Sequence, residues 1–105
     1  MGVRTAGVSP GDIGATLNGL ASTIRQRHKD LPEGSYTTKL LSGPLDYALK
    51  KLVEEAAEVA FAAKDGDHDH IRYEAADLAY HLLVLLERCG VSLEELAGEL
   101  DARRR

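Results

Sequence analysis

A chain of 105 residues has room for one domain with one hydrophobic core. Hydrophobic residues make up 44% of the chain and Trp is absent, so that core is expected to be aliphatic. The formal net charge of −4 leaves no basic surplus to neutralise phosphates, which argues against a nucleic-acid-binding protein. Cys89 is the single cysteine, so neither a disulfide framework nor a cysteine-based zinc site can form within one chain.

The expected location is the cytoplasm. The N-terminal residues lack a basic stretch followed by an apolar stretch, so no signal peptide is predicted. The longest apolar run, residues 82–86, is far too short to span a bilayer. We therefore expect neither a membrane nor a nucleic acid among the partners.

The N-terminal part predicts an arm followed by a helix. Residues 1–9 show no periodicity and are expected to form a flexible arm, whereas residues 10–105 form a single domain. Ser9 and Pro10 suit the N-cap and first position of a helix. Four apolar residues at helical spacing then form one stripe: Ile13, Leu17, Leu20 and Ile24.

The rest of the chain predicts an all-α antiparallel bundle. Residues 29–34 are expected to form a loop, and residues 35–41 one or two helical turns before Gly43 and Pro44. Two long helices follow, residues 45–64 and about 67–89, joined by a short turn at Gly66. Ser92 and Glu95 match a capping box that opens a short last helix. The first long helix carries an apolar stripe of Leu45, Leu49, Leu52, Ala56, Val59 and Ala63.

Acidic residues gather on both long helices. Glu54, Glu55 and Glu58 fall within an arc of roughly 100° on the first helix, since successive residues are about 100° apart. Glu74 and Asp77, three residues apart, share a face of the second helix. Antiparallel packing about the turn places all five carboxylates at similar heights, where they can converge.

This cluster has a plain interpretation and a functional one. Acidic residues at helical spacing often form a solvated face, but here apolar residues surround them, and enclosed carboxylates need a cation or protons. Oxygen ligands favour Mg²⁺, or Mn²⁺, and suit cleavage of a phosphoanhydride. A di-iron site is disfavoured because it normally uses Glu-x-x-His, whereas the sequence offers Glu-x-x-Glu and Glu-x-x-Asp.

The acidic motif resembles that of a known superfamily. Glu-Glu-x-x-Glu followed after fifteen residues by Glu-x-x-Asp is similar to the signature of the all-α nucleoside triphosphate pyrophosphohydrolases, the MazG-like superfamily. Three segments narrow the resemblance to the phosphoribosyl-ATP pyrophosphohydrolase family: residues 35–41 (SYTTKLL), 50–59 (KKLVEEAAEV) and 73–86 (YEAADLAYHLLVLL). Val53 departs from the family pattern, which usually has Gly there.

This resemblance implies an activity and an assembly. It implies hydrolysis of phosphoribosyl-ATP to phosphoribosyl-AMP and pyrophosphate, the second step of histidine biosynthesis, with Mg²⁺ as cofactor. It also implies a homodimer formed through the long helices, whose apolar lining offers more surface than one small chain can cover. The cyclohydrolase that acts next is expected on a separate chain.

The resemblance also implies roles for individual residues. The expected catalytic residues are Glu54, Glu55, Glu58 and Asp77; these four and Glu74 are the expected metal ligands. The expected substrate-binding residues are Lys51, Lys39, Tyr36 and Glu74. Lys51 has an equally good alternative role as charge balance for Glu54 and Glu55.

Three further residues or segments leave smaller questions open. His81 suits either a hydrogen bond to a metal-binding carboxylate or a satisfied core position. Thr37 suits a helix cap. Residues 67–70 (DHDH) open a helix, where acidic residues cap the N-terminus, so no metal site is assigned to them.

Two rival functions remain. The first is an enzyme of the same fold that removes non-canonical or deoxynucleoside triphosphates, which shares the acidic motif but not the segments 35–41 and 73–86. The second is a non-catalytic helical dimerisation module, which leaves the acids on apolar helices unexplained.

Overall fold

The computed structural model describes residues 7–104, which form five helices and no strand. The helices are α1 (Ile13–Asp30), α2 (Tyr36–Ser42), α3 (Leu45–Asp65), α4 (His68–Arg88) and α5 (Leu93–Arg103). The predicted all-α class is confirmed. Residues 1–6 of the predicted arm lie outside the described residues.

The start of α1 differs from the prediction. Ser9 and Pro10 precede the helix, and Asp12 is the N-cap, whose carboxylate accepts hydrogen bonds from the backbone N–H of Gly14 at 2.9 Å and of Ala15 at 3.3 Å. A carboxylate at this position satisfies free N–H groups and interacts favourably with the helix dipole, so the first turn forms after Asp12. Ile13, at the start of the predicted stripe, is therefore at the exposed tip of the helix.

Helices α3 and α4 form an antiparallel hairpin. Gly66 ends α3 in the left-handed conformation at φ 73°, and its N–H donates to the carbonyls of Ala62 and Ala63. Asp67 then caps α4 by accepting from the N–H of His70. With two residues between the helices, acids from the middle of α3 lie opposite acids from the first half of α4.

The apolar core lies between α1, α2, α3 and α4 and is built on Ile24, Leu40, Leu41, Ala48, Leu83 and Val84. Arg88 ties α2 to the end of α4, since its guanidinium donates to the carbonyls of Leu40 and Gly43, each at 2.8 Å. Ser35 caps α2 by accepting from the N–H of Thr38. The predicted capping role of Thr37 is wrong, because its hydroxyl bonds the phenol of Tyr80 instead.

The buried face of α3 is not its apolar stripe. Ala48, Glu55 and Ala62 are the buried residues of this helix, whereas Leu45 and Leu49 of the predicted stripe are exposed. Helix α3 packs chiefly against α4 and α2, and Leu45, Leu49 and Val53 on its other side are exposed. The acid-bearing face thus packs inward, and much of the apolar stripe lies on the surface.

Among the described residues, the structure contains no helix with the length and apolar character needed to cross a membrane.

Candidate active site

Two groups of side chains that could hold a metal ion share Glu74. In the first, ligand atoms of Glu55, Glu74 and Asp77 all lie within 4.8 Å of one another. In the second, the same holds for Glu58, His70 and Glu74. The antiparallel hairpin therefore brings together four of the five predicted carboxylates, and Glu74 belongs to both groups.

Glu74 has the most unfavourable surroundings for a negative charge. It is only 1% exposed. Burial raises the pKa of its carboxyl group above the ordinary value; a hydrogen bond with Glu58 raises it further, and one with His70 opposes the shift. Crowded carboxylates with little water around them fit a bound cation, which supplies the missing positive charge. The residues present therefore fit a divalent metal.

Glu54 lies outside both groups. Its carboxylate is 45% exposed and pairs with Lys50 at 3.8 Å and with Lys51 at 3.4 Å. Lys51 also lies 3.5 Å from the Glu55 carboxylate. Burial lowers the pKa of Lys51, but Glu54 and Glu55 outweigh it and raise the pKa above the ordinary value. The ammonium group of Lys51 thus balances charge at the edge of the cluster.

Tyr36 reaches the cluster through His81. The Nδ1 of His81 lies 2.8 Å from the backbone carbonyl of Asp77, which can only accept, so Nδ1 carries the proton. In the neutral ring Nε2 then accepts from the phenol of Tyr36 at 2.8 Å. Burial, followed by a hydrogen bond with Tyr47, raises the pKa of the Tyr36 phenol, which keeps the donating proton in place. Of the two alternatives for His81, the structure shows the satisfied buried histidine, whose two ring nitrogens bond the Tyr36 phenol and the Asp77 backbone carbonyl.

Lys39 stands at the rim of this region. Its Nζ lies 4.1 Å from the centre of the Tyr47 ring, in a cation–π contact. Lys39 and Tyr36 border one open surface depression together with Gly34, Ser35 and Thr38. Both residues are exposed, so the predicted substrate-binding segment is accessible.

His70 was missed by the sequence interpretation. Its Nε2 lies 2.9 Å from an oxygen of Glu74, and its side chain is 12% exposed. The sequence predicts helix capping by residues 67–70, and this prediction is confirmed for Asp67. The available signal was the spacing of four between His70 and Glu74, which places both on one face of a helix.

Comparison with known proteins identifies the family. Residues 17–104 match the phosphoribosyl-ATP pyrophosphohydrolase family. The phosphoribosyl-ATP pyrophosphatase of Rhizobium rhizogenes is 47% identical over 90 residues, 86% of this chain and 86% of that protein. The histidine biosynthesis bifunctional protein HisIE of Bacillus subtilis is 46% identical over 87 residues; the match covers 83% of this chain but only 42% of that protein. A match that covers most of the chain, together with the acidic hairpin, shows that the chain belongs to the phosphoribosyl-ATP pyrophosphohydrolase family.

Proposed function

We propose that the chain hydrolyses phosphoribosyl-ATP to phosphoribosyl-AMP and pyrophosphate, the second step of histidine biosynthesis. The observation that carries the reaction type is the convergence of Glu55, Glu74 and Asp77 within 4.8 Å at a largely buried place. The relative of matching length, named phosphoribosyl-ATP pyrophosphatase, supports the choice of substrate. A cytoplasmic location stays a prediction.

The proposed cofactor is Mg²⁺, with Mn²⁺ as a substitute. Carboxylate oxygens are the ligands that both ions accept. When bound, the ion neutralises phosphate charge and polarises the phosphoanhydride for attack by water. The proposed ligands are Glu55, Glu74 and Asp77, with Glu58 beside them. Glu54 remains a predicted ligand, although its contacts with two lysines place it at the periphery of the cluster.

The remaining residues hold the substrate. Lys51 lies beside Glu55 and is the proposed contact for a phosphate oxygen. Its ammonium group would then interact with both the phosphate and the carboxylates. Tyr36 and Lys39 border an accessible depression, and the Tyr36 phenol interacts electrostatically with Glu55. Both residues are the proposed contacts for the rest of the substrate. The general base is proposed to be one of the clustered carboxylates, because a carboxylate close to the attacking water can take its proton.

The proposed assembly is a homodimer formed through the outer face of α3. Leu45, Leu49 and Val53 follow one another at a spacing of four and are 45%, 39% and 68% exposed. Phe61, further along the helix, is 67% exposed. Leu45, Leu49 and Val53 span about 80° of the helix surface. An exposed apolar row of this kind favours burial against a second copy, because symmetric contacts place equivalent rows together.

The test measures pyrophosphate release from phosphoribosyl-ATP, ATP and deoxynucleoside triphosphates, with and without Mg²⁺. We expect Mg²⁺-dependent release from phosphoribosyl-ATP above all. Glu55→Gln should lower the rate by about 10²–10³-fold, the loss typical of removing one electrostatic catalytic group. Glu94→Gln on α5 is the matched control and should retain activity. Preferential turnover of deoxynucleotides would contradict the proposed substrate, and no release from any nucleotide would contradict the enzymatic role.

A further inference from the structure

A histidine nitrogen lies among the carboxylates of the second group. His70 Nε2 is 2.9 Å from Glu74 Oε2, and ligand atoms of Glu58, His70 and Glu74 lie within 4.8 Å of one another. The side chains of His70 and Glu74 are 12% and 2% exposed. The imidazole is therefore enclosed and directed towards the carboxylates.

The local structure accounts for this direction. Asp67 caps α4 and accepts from the backbone N–H of His70 at 3.2 Å, which fixes the first turn of the helix. His70 then lies one turn before Glu74 on the face that packs against α3. His68, two residues earlier, has a side chain that is 88% exposed. Of these two histidines in the first turn of α4, His68 is exposed to solvent, whereas His70 is enclosed and faces the acidic residues.

We propose that His70 is a nitrogen ligand in a second cation position, formed with Glu58 and Glu74, that prefers Mn²⁺ or another first-row transition ion to Mg²⁺. This inference rests on the proposed metal-dependent function and extends it. Imidazole nitrogen suits transition ions, whereas Mg²⁺ selects oxygen ligands and water. Glu74 belongs to both groups, so its two oxygens can serve adjacent positions.

The charges favour a cation over a simple ion pair. A protonated imidazole carries one positive charge against two carboxylates, Glu58 and Glu74, in largely buried surroundings. A divalent ion neutralises both carboxylates and takes the place of the proton in the hydrogen bond between His70 Nε2 and Glu74. If His70 only paired with Glu74 as residues i and i+4, its loss would leave the choice of metal unchanged.

The first test is pulsed electron paramagnetic resonance of the full chain with one equivalent of Mn²⁺, prepared without a polyhistidine tag. Imidazole nitrogen bound to Mn²⁺ gives ¹⁴N modulation of the echo. We expect this modulation in the wild-type protein and in His68→Gln, and its loss in His70→Gln. Glutamine retains an N–H donor for Glu74, and circular dichroism checks that the variant is folded.

The second test is calorimetric titration of the same three proteins with Mn²⁺ and with Mg²⁺. His70→Gln should weaken Mn²⁺ binding by about tenfold or more. Even the loss of a residue that only hydrogen-bonds to a metal ligand typically lowers metal affinity by that factor. Its Mg²⁺ affinity should change by less than about threefold, because Mg²⁺ does not favour the nitrogen. The ratio of the two affinities therefore changes in His70→Gln and not in His68→Gln.

The outcomes separate this inference from the proposed function. Bound Mn²⁺ without ¹⁴N modulation, or modulation that persists in His70→Gln, would overturn the role of His70. An equal loss of Mn²⁺ and Mg²⁺ affinity would overturn the proposed preference. Pyrophosphate release by the wild-type chain with Mg²⁺ is measured in parallel, and its result decides the proposed function independently.

Discussion

The Tyr36 phenol donates a hydrogen bond to His81 at 2.8 Å and so joins α2 to the centre of α4. The other ring nitrogen of His81 donates to the Asp77 carbonyl at 2.8 Å. This bond therefore connects the SYTTKLL segment to a residue of the acidic cluster through a single imidazole. The packing of Tyr36 against Tyr80, with ring centres 6.5 Å apart, supports the same junction.

Tyr36→Phe is expected to lower the free energy of unfolding by about 1–3 kcal/mol, because a largely buried ring nitrogen loses its donor. The melting temperature measures this loss: in a domain of this size it falls by about 4–8 °C for each kcal/mol of lost stability. Tyr73→Phe on α4 is the comparison and should cost less than about 0.5 kcal/mol. Equal effects of the two substitutions would contradict the special role of the Tyr36–His81 bond.

Glu74→Gln is expected to stabilise the metal-free protein at neutral pH. The pKa of Glu74 is raised in the folded state, so folding binds a proton between the ordinary pKa and the folded pKa, and stability falls as pH rises through that window. Below the ordinary pKa the Glu74 carboxyl group is protonated in both the folded and the unfolded state, so its ionisation no longer destabilises the fold. The difference in melting temperature between variant and wild type should therefore grow from pH 4 to pH 7.

The same variant should lose stabilisation by metal. Wild-type protein at a Mg²⁺ concentration 100 times its Kd gains about 2.7 kcal/mol, whereas Glu74→Gln should gain much less. Glu94→Gln on α5 serves as the control and should behave as wild type in both experiments. A destabilised metal-free Glu74→Gln at pH 7 would show that the buried carboxylate contributes favourable contacts instead.

Val53→Glu tests the proposed dimer. A charge at Val53, in the exposed apolar row formed with Leu45 and Leu49, should prevent association, because burying it would leave the carboxylate without water. Light scattering after gel filtration should give twice 11.4 kDa for the wild type and 11.4 kDa for the variant. Lys64→Glu, near the end of the same helix, should leave the dimer intact. A wild-type monomer, or a dimeric Val53→Glu, would exclude this interface.

Leu31→Gly is expected to stabilise the fold. Leu31 ends α1 in the left-handed conformation at φ 45°, and its N–H donates to the Arg27 carbonyl at 2.7 Å. An L-residue there costs roughly 1–2 kcal/mol that glycine avoids, so thermal unfolding should show a gain of about 1 kcal/mol. Ser22→Gly inside α1 should instead lower stability by about 0.5 kcal/mol. Destabilisation by Leu31→Gly would mean that the leucine side chain outweighs the backbone strain.

The sequence by itself determined the all-α class, the turn between the two long helices and the acidic residues that gather on them. Gly66 and Asp67 marked the turn between the long helices, and Ser92 with Glu95 marked the start of the last one, because caps act through neighbouring residues. The spacing of Glu55, Glu58, Glu74 and Asp77 likewise placed the acids on facing surfaces. Local geometry is enough for both predictions.

Tertiary structure decided which of these residues meet and which face is buried. Glu54 has the same residue type and nearly the same helical face as Glu55, yet it pairs with lysines at the surface, since only one side of α3 packs against α4. His70 joins the carboxylates because α3 brings Glu58 over the first turn of α4. The apolar stripe of α3 lies outward for the same reason: helical periodicity identifies faces, but only the packing of neighbouring helices chooses among them.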